Sequence, residues 1–262
     1  MNNTLLELIF LSEKRKSLLL FLEENPKTMD EIRDSLGVSP VAILPQIKKL
    51  RDRNIVLKEN DVYSLSPLGQ SITGKMRDMV DILNVFGNNY AFWATHSIEC
   101  IPSPLLNRID ELVNCTFSEP PDRTRLFDPH REFVENLKES RYINGIASIF
   151  HPMYPVLFTD FAKSGREVSL LVTESVFERV KEEFQAEFRA FLDAGTSSFY
   201  VCRENIEFAH VVTDRFLSLS LPFFDGTFDH REDVLSFDSA ALRWGEDLFA
   251  YYRDMSEEIT EI

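Results

Sequence analysis

Five cations fall within eleven residues at Lys48, Lys49, Arg51, Arg53 and Lys58, and Asp52 is the only acid among them before Glu59. Such a cluster neutralises the phosphates of a nucleic-acid backbone, with affinity drawn from released counterions. Just ahead of it, Gln46 carries an amide able to read a base edge; it is equally read as a solvated surface residue. Farther along, His151 and Tyr154 follow the apolar run Ile143 to Phe150. An imidazole and a phenol at the carboxyl end of a strand suit a small polar ligand, against the alternative of a histidine satisfied by backbone bonds. Gly69 to Met76 has the glycine spacing of a P-loop, but Met76 stands where the Mg²⁺-binding hydroxyl belongs, so the match is fortuitous. Cys100, Cys115 and Cys202 are widely spaced, with no cluster of Lys or His beside them, and read as reduced, packed thiols.

These groups are distributed over 262 residues whose net charge is -15, a balance that by itself argues against a nucleic-acid partner. The charge is not spread evenly. Residues 1–75 hold 11 Lys/Arg and 10 Asp/Glu, a net of +1, whereas the remainder holds 17 and 33, a net of -16. A local basic patch therefore survives the global acidity. With 44% hydrophobic and 27% charged residues the chain is globular, and its length implies about two domains. No apolar run approaches the roughly 18 residues of a membrane span, and no basic-then-apolar leader opens the chain. The expectation is a cytoplasmic protein without a membrane partner, metal or cofactor.

The elements that position the cations are legible in order. Leu18, Leu19 and Leu22 mark the apolar face of a helix ending near Glu24. Thr28 and Glu31 form a capping box that opens a second helix to Leu36. Gly37 permits a left-handed turn, Ser39 is an N-cap, and Pro40 takes the first position of a third helix. Ile43, Ile47 and Leu50 share that helix's buried face, which throws Gln46, Lys48, Lys49 and Arg53 elsewhere. Pro45 predicts a kink or a late start. Two β-rich runs, Ile55 to Lys58 and Val62 to Leu65, flank an Asn-Asp turn, and Ser66-Pro67 begins another helix. Two short helices around a tight turn, followed by a hairpin, make a winged helix-turn-helix.

The stretches TMDEIRDSLGVS, LRDRNIV and YSLSPLG closely resemble the winged helix-turn-helix of archaeal transcriptional regulators over about residues 8 to 75. The resemblance implies that the third helix enters the major groove and that Lys48, Lys49, Arg53 and Lys58 contact phosphates. One departure stands out: Pro40, Val41, Ala42, Leu44 and Pro45 occupy the start of that helix, where base-reading members carry polar side chains, so direct readout is poor.

From Pro67 to Phe86, Leu68, Ile72, Met76, Met79, Leu83 and Phe86 recur at intervals of 4, 4, 3, 4 and 3 residues, a seam along which two copies would dimerise. The alternative is that the stripe packs on the chain's own second domain. Beyond Gly87, β-rich runs alternate with amphipathic helices, which predicts an α/β sheet with crossover helices. Phe177, Val180, Phe184, Phe188 and Phe191 place an aromatic stripe along a helix from Glu174 to Leu192 and read as core.

The segment FDGTFDHREDVLSFDSAALRWGEDLFAYYRD, with SIFHPMYP and GREVSLLV, resembles the effector domain of the methanogenesis regulatory protein family over nearly all of residues 90–255. The strand-helix-strand is also distantly similar to phospholipase D-like sensor domains, a class whose catalysis requires a His with a Lys two residues on. His96, His130, His151, His210 and His230 are followed at that spacing by Ile98, Glu132, Met153, Val212 and Glu232, so no catalytic pair exists. No G-x-S-x-G or H-E-x-x-H pattern occurs either. The expected protein is α/β (α+β overall): a DNA-binding domain over 1–75, a dimerisation helix over 76–89 and an effector-sensing α/β domain over 90–262. It would act as a non-enzymatic, homodimeric regulator on double-stranded DNA under control of a small-molecule effector. The competing class is an interaction scaffold whose winged helix docks another protein.

Overall fold

The computed structural model describes residues 4–118 and 131–261; His130 lies outside them. Two compact units result, Met1–Asp81 and Ile82–Ile262.

The first unit holds α1 (Leu5–Phe10), α2 (Glu13–Glu24), β1 (Lys27–Thr28), α3 (Met29–Leu36), α4 (Pro40–Arg51), β2 (Val56–Glu59), β3 (Val62–Leu65) and the beginning of α5 (Pro67–Asn88). The capping box forms in both directions: the Glu31 N–H donates to Thr28 Oγ1 at 3.3 Å and the Thr28 N–H to Glu31 Oε2 at 2.7 Å. Gly37 takes φ 61°, ending α3 in the left-handed conformation that glycine adopts without steric cost. Helix α4 starts at Pro40 rather than late, and Pro45 lies inside it. Asn60 and Asp61, at φ 47° and 63°, close the β2–β3 hairpin with both central residues left-handed, as tight two-residue turns require. Strand β1 adds to β3 to complete a three-stranded sheet. Leu18, Leu19, Ile32, Ile43, Ile47, Leu50 and Ile55 form a core from which water is excluded. Helix α1 is absent from the sequence reading, although Thr4 and Glu7 are a second reciprocal capping box.

The boundary between the two compact units falls inside α5, between Asp81 and Ile82, within the stretch 76–89 expected for the connecting helix. The physical reason is that α5 changes cores along its length. Ile72, Met76 and Val80 pack with the winged-helix interior, while Ile82, Val85 and Phe86 pack with the second unit.

The second unit continues with α6 (Tyr90–Trp93), α7 (Ser103–Leu106), a short 3-10 turn at Ile109–Leu112, β4 (Thr116–Phe117), α8 (Arg131–Glu139) and β5 (Tyr142–Ala147). There follow α9 (Tyr154–Lys163), β6 (Glu167–Thr173), α10 (Glu174–Glu183), α11 (Gln185–Leu192) and β7 (Ser197–Cys202). The chain then runs through β8 (Ala209–Thr213), β9 (Leu217–Ser220), β10 (Val234–Ser236), α12 (Ser239–Arg253) and β11 (Glu257–Glu258). Strands β5, β6 and β7 are parallel and joined by helical crossovers; β8, β9, β10 and β4 extend the sheet antiparallel from β5, and β11 closes the other edge. Alternation along the strands sends Ile143, Val168, Phe199 and Val211 to one face against α9, α10 and α11, and Ile146, Leu171, Leu217 and Leu219 to the other against α12. The predicted single helix Glu174–Leu192 is two, broken at Phe184 (φ -133°, ψ 37°). The break lets α10 rest on β6 and α11 on α9, while Phe177 and Phe188 both reach Phe199, with ring centroids 5.8 and 4.6 Å away.

Candidate functional sites

In the winged-helix unit, Ile43, Ile47 and Leu50 anchor α4 by its inner face, so the helix presents Lys48, Lys49 and Arg51 to solvent. Arg53 is exposed just beyond its end. Among the described residues no acidic partner engages these four cations. Lys58 differs: it pairs with Asp61 at 2.7 Å and lies over the Tyr63 ring at 5.5 Å, and the Asp61 bond pushes its pKa up. Between α4 and the hairpin runs a groove of about 670 Å³ whose walls include Lys48, Arg51 and Lys58 on one side of the charge balance and Asp52 and Glu59 on the other.

Gln46 is half-buried and committed in part: Arg15 Nη1 donates to its Oε1 at 2.6 Å, leaving only the amide N–H₂ to face a ligand. Arg15 is buried, and its guanidinium also donates to the Leu8 and Glu7 carbonyls, tying α1 to α4. The outward face of the first half of α4 is apolar, with Val41 84% exposed and Leu44 45%. Gly69 serves packing, not phosphate: a Cβ there would stand 2.2 Å from the Ile55 carbonyl oxygen, so α5 crosses the β2 entry closer than any side chain allows. Ser66 fixes the same crossing by donating to the Asn54 carbonyl at 2.5 Å and accepting from the Gly69 N–H at 3.0 Å.

The α5 stripe divides in two. Met76 is 2% exposed within the winged-helix core, Ile72 packs against that core, and Phe86 meets Trp93 edge-on at 5.3 Å. Leu68, Met79 and Leu83 are exposed, Leu83 at 59%. At 3.6 residues per turn these three lie within about 60° of one another on the helix surface.

In the α/β unit His151 and Tyr154 line a cavity of about 440 Å³. It exists because the sheet face beneath it carries small residues: Gly145 and Ala147 on β5, Ala209 on β8, Ser218 and Ser220 on β9. Phe133, Phe150, Phe158 and Leu170 supply apolar wall, and Phe228, Asp229, His230 and Asp233 supply the opposite rim. His151 Nδ1 accepts from the Met153 N–H at 3.2 Å, so the backbone bond and the cavity position coexist. Burial, reinforced by the Asp233 charge, raises the Tyr154 pKa and keeps its phenol a hydrogen-bond donor.

Sequence reasoning missed the loop that carries the far rim. Asp229 is buried and accepts from the Arg231 N–H at 2.9 Å; its Oδ2 lies 3.3 Å from His96 Nε2. His96 Nδ1 lies 2.8 Å from the Phe92 carbonyl, and its ring stacks on Phe92 at 3.9 Å. The same loop accepts from Asn89 Nδ2 through Glu232 Oε1 at 3.0 Å and from the Ser97 N–H through the Pro222 carbonyl at 2.8 Å. One cavity-lining residue, Asp229, thus contacts the segment 89–97 that follows α5 directly, and its loop neighbours Glu232 and Pro222 bond to the same segment.

His210 is buried between the Ser218 and Gly245 carbonyls, at 3.2 and 3.0 Å, and burial lowers its pKa to about 4. Burial also pushes Cys100 up to about 12 and Cys115 up to about 11, so both remain thiols. Among the described residues no helix is long and apolar enough to cross a membrane, and no group of three or more His, Cys, Asp or Glu could hold a metal.

Two family models match the chain. Residues 4–84 match the N-terminal domain, and residues 126–255 the middle domain, of the methanogenesis regulatory protein FilR1. The methanogenesis regulatory protein FilR1 of Methanothrix harundinacea is 25% identical over 259 residues, covering 95% of this chain and 57% of that protein. The HTH-type transcriptional activator ArnR of Sulfolobus acidocaldarius is 30% identical over 74 residues, 28% of each. The chain therefore spans little more than half the length of the first relative and about a quarter of the second. Among solved structures, TrmBL2, described as an archaeal chromatin protein with a novel mode of DNA binding, aligns with a TM-score of 0.45 at 11% identity over 92% of both chains.

Proposed function

This chain belongs to the archaeal regulator family of the methanogenesis regulatory protein FilR1, and on that premise we propose that it is a transcription factor that grips duplex DNA with its winged helix under control of a small molecule held in its α/β unit. The observation that carries the reading is the set of solvated cations that meet no acidic partner among the described residues, Lys48, Lys49, Arg51 and Arg53, on and just beyond the end of α4, beside a hairpin bearing Lys58. Phosphates passing along that groove would be held on both sides. With Val41 and Leu44 at the outer face and the Gln46 oxygen engaged by Arg15, base contacts are few, and thymine methyl groups and the Gln46 N–H₂ are the chemistry left to read. Fluorescence anisotropy on duplexes from upstream of the gene tests this. Affinity should fall steeply with salt, and replacing Lys48 and Lys49 with Ala should weaken it.

The same apolar face supports a second reading, a docking surface for another protein, in which salt dependence is shallow and Val41→Asp abolishes binding. Leu68, Met79 and Leu83 offer a seam for a second copy; Leu83→Asp should convert a dimer to a monomer in sedimentation velocity. A ligand in the cavity would act through the 222–233 loop on residues 89–97 and so on α5, which leads into the DNA-binding unit.

A further inference from the structure

The charged groups around the cavity of the α/β unit are already engaged. Asp229 receives the Arg231 N–H and guanidinium on Oδ1 and faces His96 with Oδ2. Asp233 accepts from the Ser220 hydroxyl, and it, His151 and His230 all have partners. Among the described lining residues there is no Lys or Arg. An anion would therefore meet no free cation here and a cation no unpaired carboxylate, so either would give up its water without gaining a charge partner.

Two hydroxyls are left over. Gly145 pairs with Val211 on β8, and Val211 pairs with Ser218 on β9. Residues opposite one another share a sheet face, which puts the Ser218 side chain on the cavity floor with Gly145. Ser218 is 5% exposed; its carbonyl lies 3.2 Å from His210 Nδ1, but its hydroxyl makes no hydrogen bond among the described residues. The second hydroxyl is the phenol of Tyr154, which burial keeps protonated and which likewise has no hydrogen bond among the described residues. Tyr154 stands where the cavity joins a smaller hollow of about 60 Å³ between sheet and helices, walled by Val176, Val180 and Phe188. Around these hydroxyls the wall is apolar, so each can be satisfied only by an oxygen or nitrogen that a ligand brings.

We propose that this cavity takes an uncharged, largely apolar molecule bearing a hydroxyl or carbonyl oxygen, with that oxygen bonded to the Ser218 hydroxyl and its body against Phe150, Phe158 and Leu170. The proposal rests on the effector reading above and adds the chemical class of the effector. The body fills the space toward the smaller hollow, where the Tyr154 phenol can donate to a further acceptor. Body and oxygen are both needed, because a polar fragment alone would remain in water and a hydrocarbon alone would leave the Ser218 hydroxyl unpaired in a space it had dried.

The test uses the full chain, isotopically labelled at Ile and Leu methyl groups, titrated separately with 2-phenylethanol, 2-phenylethylammonium chloride and sodium 3-phenylpropanoate. The three probes share a phenylethyl body and differ in the charge of the head. The alcohol should move the methyl resonances of Ile149 and Leu170, which line both spaces, and do so saturably. Each ion should bind about tenfold more weakly or worse. Ser218→Ala strands no partner, so it should leave the melting temperature unchanged and weaken the alcohol about fivefold. If either ion binds as well as the alcohol, the charge assignment is overturned while the cavity survives as an effector site. Unchanged alcohol binding by Ser218→Ala overturns the placement of the oxygen. If none of the probes moves those methyls at concentrations of tens of millimolar, the effector reading falls together with the proposal.

Discussion

The groups of residues 4–81 that could meet a partner, Lys48, Lys49, Arg51 and Arg53, are in solvent on and just beyond a helix whose other face is fully buried. In residues 82–261 the corresponding groups, Tyr154, Ser220, Asp229 and Asp233, surround a hollow in a sheet and bond to neighbouring chain. The difference separates stability from recognition in the two units. An outward cation can be removed without opening a void or stranding a polar group, so its loss is felt by the partner alone. A group at the cavity rim is also part of the fold, so its loss is felt by both.

Acid should separate the units most. All five histidines follow residue 81, and His210 is held neutral with its pKa lowered from 6.5 to about 4. A lowered folded-state value means that the unfolded chain binds the proton first, so this contribution is complete above about pH 6.5 and is lost as pH falls toward 4. Its size is on the order of 3 kcal/mol. Hydrogen exchange of the full chain between pH 7 and 4.5 should show β8 and α12 losing protection before α3 and α4; simultaneous loss would break the contrast.

Gly69→Ala tests the winged unit from the inside. A methyl placed 2.2 Å from the Ile55 carbonyl oxygen forces α5 away from the hairpin, at a cost of about 3 kcal/mol, read in denaturant unfolding. Lys48→Ala with Lys49→Ala tests it from the outside. The pair should lower the slope of log affinity against log salt by about 1.8 with the melting temperature unchanged, and a large loss of stability would show that these lysines are structural. The smallest effect is expected from Thr28→Ala, which removes one capping box and costs about 1 kcal/mol; a drop in α3 helicity by circular dichroism would accompany it.

Much of the first unit was legible because its determinants are local. Thr28 and Glu31 lie three residues apart, Gly37 and Pro40 sit at helix boundaries, and Ile43, Ile47 and Leu50 follow helical spacing. The alternating run of the second unit also gave the strands and crossovers. What escaped was non-local. Arg15 reaches Gln46 across 31 positions, and His96 meets Asp229 across 133. The cavity floor is assembled from Gly145, Ala147, Ala209 and two serines on three strands, each unremarkable until the sheet sets them side by side.

By itself the sequence determined most of the segments that become helices and strands, where the excess acid lies and which cations share a helix end, because these follow from spacing and backbone propensity. Only the tertiary structure decided that Gly69 is a packing contact, that Met76 is core while Leu83 is surface, and that a loop after β9 faces both a cavity and the end of α5. Those outcomes depend on which surfaces close against each other, and the free energy of that closure is shared among residues too far apart in the chain for any local pattern to record.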